Sequence, residues 1–199
     1  MSITYPLTMP ATPGFKQLTL LQNFVVGESD SPFTAQGQIY EHQGSWWEAK
    51  VDLPIMTRAQ AAPWIAFLAA LNGRSGTFLL GDPVATGPIG TAGGAPVVNG
   101  AGQTGKTLAI SGLTGVLKAG DYFHVGSGVT QRLYMNLTDA GPGSVTLDIF
   151  PRLRESPANA APLVLASPQG AFRLQSNADQ YTVDNAKLYG LSFSAREAF

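Results

Sequence analysis

The chain has 199 residues, with 12 Lys and Arg against 13 Asp and Glu, a net charge of -1 and only 13% charged residues, about half the share usual in a soluble domain. Its scattered basic residues give no electrostatic footprint for sequence-specific nucleic acid or an anionic membrane. With no cysteine there is neither a disulfide framework nor a thiolate metal site, and a surface so short of charge is most simply explained if copies of the chain cover much of it.

Met1 to Leu7 lacks the basic start and continuous apolar stretch of a secretion signal, so export by that route is not expected. Lys16 to Val26 and Phe33 to His42 are rich in β-branched and aromatic residues and read as strands, separated by the turn-prone Gly27 to Pro32. Trp47, Ala49, Val51 and Leu53 alternate with Trp46, Glu48, Lys50 and Asp52, the period of a strand with one buried face. That phase puts Trp47 in the core and makes Trp46 the candidate for a subunit interface, since adjacent strand residues point to opposite faces.

Thr57-Arg58-Ala59-Gln60 has the form of a capping box. Trp64, Phe67, Leu68 and Leu71 then recur on one helical face, and Gly73 stands where a left-handed residue would end the helix. Pro63 requires either a kink or a helix that effectively begins near it. The apolar run Ala61 to Leu71 is much shorter than the ~18 residues of a membrane span.

After Thr77 to Leu80, the glycine-rich and proline-containing stretch from Gly81 to Gly94 reads as a connector. Short strands are then expected at Thr107 to Ile110, Asp121 to Val125, Thr130 to Leu137, Ser144 to Phe150 and Leu163 to Leu165, the density of a small barrel or sandwich. Ala171 to Gln175 and Tyr189 to Arg196 return to the style of the start, and such strands need the N-terminal region as their sheet. The expected organisation is mainly β. An outer β domain with one helix, residues 1–84 and 168–199, carries a linker and small barrel, residues 85–167, as an insertion.

Gly100 to Thr107 fits the phosphate-loop pattern G-x-x-x-x-G-K-[ST] at every fixed position. A working loop needs a helix opening directly after Lys106-Thr107, but Leu108 to Val116 carries Gly112 and Gly115 and no helical spacing of apolar residues. Asp148, the best magnesium-binding candidate, sits inside an alternating strand. The motif is therefore read as a glycine-rich turn between strands, and no nucleotide or other cofactor is expected. His42 and His124 lie far apart without metal-site spacing, so no metal is expected. No nucleophile elbow occurs. Asp121 with Asp148, or Glu41 with Glu48, are the carboxylate pairs a glycosidase reading would need, but no catalytic constellation emerges and no enzyme is expected. Asn136-Leu137-Thr138 matches a glycosylation acceptor, which has no meaning without secretion.

Several segments in order, Leu117-Lys118-Ala119-Gly120-Asp121-Tyr122-Phe123, Arg132-Leu133-Tyr134, Leu147-Asp148-Ile149-Phe150-Pro151-Arg152-Leu153-Arg154 and Tyr189 through Ala198, resemble distal tail proteins of long, non-contractile-tailed bacteriophages. The likeness is to the two-domain type, with an OB-like barrel carried by a ring-forming β domain and Gly102-Gln103-Thr104-Gly105 where that family tends to have a Gly-Gln turn. It implies a non-catalytic virion protein assembled in the host cytoplasm. The protein would form a ring, as a hexamer, between the tail tube protein and the tail-tip hub protein, around a channel for DNA. The alternative is a carbohydrate-binding or host-adhesion module, because such barrels present faces to sugars or single strands. Tyr122, Phe123, Tyr134 and Phe150 with Lys106, Lys118 and Arg132 are the residues such a face would use, although half of those rings are expected in the core.

Overall fold

The computed structural model describes residues 3–199. It is mainly β with one α-helix and two sheets. The first sheet is built from β1 (Gln17–Asp30), β2 (Gly37–Asp52), β3 (Phe78–Leu80), β10 (Gly170–Leu174), β11 (Tyr181–Val183) and β12 (Tyr189–Glu197). Its order is β1-β2-β12-β10-β3, with β11 paired to β12. The second sheet takes β4 (Gly93–Val98), β5 (Gly105–Thr114), β6 (Tyr122–Val125), β7 (Arg132–Asn136), β8 (Gly143–Leu153) and β9 (Leu163–Val164), in the order β4-β5-β8-β7-β6-β9. Hydrogen bonds from Val98 N to Ala161 O and from Ala160 N to Val98 O, both 2.9 Å, tie its first strand to the approach of its last. The second sheet is thus a nearly closed barrel, lying in sequence between β3 and β10 of the first.

The alternation around Trp47 is realised: Trp47, Ala49, Val51 and Leu53 are buried, facing Phe193 and Ala195 of β12 and Phe172 and Leu174 of β10. Helix α1 (Arg58–Leu71) covers this face with Ala61, Trp64, Phe67, Leu68 and Leu71. It begins at Arg58 rather than near Pro63, because Gln60 Oε1 accepts from both the Thr57 amide and hydroxyl at 3.0 Å and fixes the first turn. The proline is accommodated inside it. Asn72, with φ 52°, is the left-handed cap, one residue before the expected Gly73, which is also left-handed at φ 63°.

Three local expectations give way. Gly27 to Pro32 does not break the strand; β1 runs on to Asp30, and the turn falls at Ser31 to Gln36, closed by Ser31 N donating to Gln36 O at 3.0 Å. Phe33 consequently sits in that turn rather than in a strand. The stretches around His42 and Trp47 merge into one strand, since pairing with β1 continues past a single register shift between Phe24 and Val26. Finally, β4 and β11 were not anticipated. Pro96 is absorbed by a register shift between Gly94 and Val97, and β11 is short and wholly exposed.

The sheets meet at one buried junction. Trp47 Nε1 donates to Leu133 O at 3.1 Å, and its ring packs edge-on to Phe150 with centroids 4.8 Å apart and near Tyr122 at 5.9 Å. Ala171 N also donates to Gln131 O at 2.8 Å. Gly81 marks the crossing between the sheets, where any Cβ would overlap the Pro168 carbonyl.

Candidate assembly surface

Beyond Phe24 and Gly44 the β1–β2 hairpin leaves both cores and continues as a two-stranded arm to the Ser31–Gln36 turn. At 3.4 Å per residue the arm extends about 20 Å. Its apolar side chains are uncovered: Phe33 is 94% exposed, Ile39 69%, Phe24 58%, Val26 52% and Tyr40 51%. Ile39 pairs with Glu28 and Tyr40 with Gly27, so these two apolar residues occupy opposite faces of the ribbon. Phe24 still rests on Phe150, with ring centroids 4.8 Å apart, but an exposed two-stranded ribbon is marginal in water, and each such side chain gains about 1.5–3 kcal/mol when fully buried. Strand β1 is also an outer edge of the first sheet, and a long unpaired edge is a template for another chain.

The arm's base is fixed to the barrel. Ser45 Oγ accepts from Arg152 N at 3.1 Å, the Arg154 guanidinium donates to Ser45 O, and Gly44 leaves room for Val25, whose Cγ2 would lie 2.6 Å from a Cβ there. Lys106 of the phosphate-loop string pairs with Glu41 of the arm. The Lys106 ammonium, first by its hydrogen bond and then by its charge, holds the Glu41 carboxyl below the usual range. Strand β5 runs directly through Lys106 and Thr107, so no helix N-terminus faces the turn. Gln103 closes that turn: its Nε2 donates to the carbonyls of Asn99 at 3.0 Å and Ala109 at 3.1 Å, and its Oε1 accepts from Ala109 N at 2.6 Å. Gly100, Gly102 and Gly105 all take positive φ there, which is the backbone reason for the glycines that mimic a phosphate loop.

Trp46, the interface candidate from the sequence, is half-buried on the outer face of the first sheet, its Nε1 donating to Glu48 at 2.9 Å and the Arg196 guanidinium 5.5 Å from its ring. It lies at the root of the arm. The remaining candidates each have partners within the chain. Asp121 is buried and accepts from Ile89 N at 2.6 Å and Lys118 N at 2.7 Å; Asp148 accepts from the Thr138 hydroxyl at 3.0 Å. Phe123, Tyr134 and Phe150 are interior, and only Tyr122 is half-buried, one more core ring than expected. Lys118 pairs with Asp139 at 2.6 Å, and Arg132 donates to Val129 O at 3.2 Å. Both histidines are strand residues: His42 is exposed in β2, and half-buried His124 accepts from Gln169 N at 3.3 Å, burial lowering its pKa. No group of three or more potential metal-binding side chains occurs among the described residues. Asn136 is fully buried, its Nδ2 donating to Leu117 O at 3.3 Å and Lys118 O at 3.2 Å, so it presents no amide to a sugar transferase.

One buried group escaped the sequence reading. Glu197 of β12 is 2% exposed beside the junction, its Oε2 accepting from Trp47 N at 3.4 Å. Burial raises its pKa to about 7 against the opposing charge of Arg154. The alternation of the last strand places Glu197 on the face of Leu191, Phe193 and Ala195, the one signal from which its burial could be found.

No family model matches the chain, and a search of curated proteins finds no similar sequence. What the fold defines is a class: a mainly β protein in which a nearly closed barrel interrupts an antiparallel sheet bearing one helix. No helix among the described residues is long and apolar enough to cross a membrane.

Proposed function

We propose that the protein is a structural ring component of a bacteriophage tail tip, a homo-oligomer, hexameric by its resemblance to distal tail proteins, that joins the tail tube to the tail-tip hub and leaves a channel for DNA. The observation that carries this reading is the arm, with apolar residues exposed on both faces of a ribbon and an open β1 edge beside it. Such a surface is covered when copies associate around a closed cyclic axis. The OB-like character of the barrel and the virion location rest on the same resemblance. The low share of charged residues agrees with a surface largely covered by other chains.

The test is particle imaging and native mass measurement of the purified chain across a concentration series. Closed rings are expected, and the double variant Ile39→Asp with Tyr40→Asp should remain a folded monomer. Only monomers at high concentration, or rings undiminished by the variant, would overturn the reading.

A further inference from the structure

Opposite the helix-covered core, a cleft of about 550 Å³ opens on the outer face of the first sheet, lined by Arg74, Arg173 and Arg196 together with Glu48, Glu197 and Phe199. Arg173 of β10 stands directly across from Arg196 of β12. Directly opposed like charges on one sheet face destabilise the pair, and Arg74, from the loop after α1, adds a third positive charge to the same space. The acids present offset this only in part. Glu48 lies across from Arg196 on its other side and offsets part of that charge, its Oε1 also accepting from Trp46 Nε1 at 2.9 Å. Glu197 belongs to the core face of β12, the side away from Arg196, where its Oε2 accepts from Trp47 N. Among the described residues no Asp or Glu side chain comes within 4.0 Å of any of the three guanidinium groups.

Main-chain oxygens hold two of the arginines in place. Arg74 Nε donates to Gln175 O at 2.6 Å, and Arg173 Nη2 donates to Phe199 O at 3.2 Å. Arg196 lies between the Trp46 ring at 5.5 Å and the Phe199 ring at 5.3 Å. The Arg173 Nε is buried and makes no hydrogen bond within the described residues. Planar guanidinium groups already oriented around one space are the side chains best suited to oxygen anions.

We propose that this cleft binds a small multivalent oxyanion, phosphate or a polycarboxylate, through Arg74, Arg173 and Arg196. The anion relieves the repulsion across β10 and β12 and links the loop after α1 to the end of the last strand. Every lining residue comes from one chain.

The test is calorimetric titration of the whole chain with sodium phosphate and, separately, sodium citrate, with sodium chloride at matched ionic strength as reference, and thermal midpoints followed in parallel. Saturable binding of one anion per chain is expected, with at least tenfold weaker affinity in Arg74→Gln and in Arg196→Gln and no change in the surface control Lys187→Gln. Tighter phosphate assigns the site to phosphate, and tighter citrate to polycarboxylates; either supports the proposal. Arg74 is exposed, so its variant preserves the test even where Arg196→Gln loses the fold. The Arg173 Nε–H resonance should shift on titration in the unmodified protein. Midpoints that track ionic strength alone, or equal affinity in all variants, would overturn the proposal.

Discussion

The two halves of β2 differ sharply in burial. From Trp47 to Val51 every second residue is fully buried against β10, β12 and α1; from Gly37 to Gln43 every residue is exposed. The same strand, paired throughout to the same partner, is a core element at one end and a bare ribbon at the other. Pairing alone therefore does not make a strand stable: what holds the inner half is side-chain burial across the sheet, and the outer half needs a surface the chain does not itself provide.

Substitutions separate the halves by size of effect. Trp47→Ala, which removes a ring packed on Phe150 and Tyr122 and the hydrogen bond to Leu133, should cost about 3–5 kcal/mol in chemical denaturation; a loss below about 1 kcal/mol would mean the sheets do not share that core.

Next comes Glu197 under the same half. Because its folded pKa, about 7, lies above the ordinary value of 4.5, the native state binds the proton more tightly than the unfolded chain does. Its favourable contribution is complete at low pH and disappears as pH rises towards 7. Denaturation profiles should show stability falling by roughly 3 kcal/mol across that window, and Glu197→Gln should flatten the slope. An unchanged slope in the variant would show that Glu197 is not the group responsible.

Smaller effects belong to the turn and the arm. Gln103→Ala, which opens the loop before β5, should cost about 1–2 kcal/mol, whereas Lys106→Ala three residues later should leave the denaturation midpoint in place because its partner Glu41 is solvent-exposed. The reverse order would restore a functional meaning to the lysine. Least of all, Tyr40→Ala should shift the midpoint of the dilute monomer by under about 0.5 kcal/mol, although it lies only seven positions before Trp47. A large loss there would show that the arm is packed within its own chain.

Much of the inner architecture was legible. Trp47, Ala49 and Val51 declared their phase because period-two alternation leaves one assignment of faces, and Thr57 with Gln60 announced the helix start through local chemistry. Glycine concealed the rest. Gly93, Gly94 and Pro96 hid β4, and Gly112 suggested a break where β5 continues at positive φ through a register shift. Trp46 was legible as the outward residue of its pair, but not its cover, since Arg196 is 150 positions away. The aromatic set, plausible as a list, does not form one exposed face, because the register turns Phe123, Tyr134 and Phe150 into the cores.

The sequence by itself determined what local periodicity and short-range chemistry can encode: a mainly β chain, one capped helix, the buried side of its central strand and a phosphate-loop string that ends in a strand. Only the tertiary structure decided which distant residues meet. Strand order set Arg173 opposite Arg196, the junction buried Glu197 beside Trp47, and the absence of any covering layer among the described residues left the arm bare. Those outcomes depend on the pairing of β12 between β2 and β10, a long-range choice that no window of neighbouring residues contains.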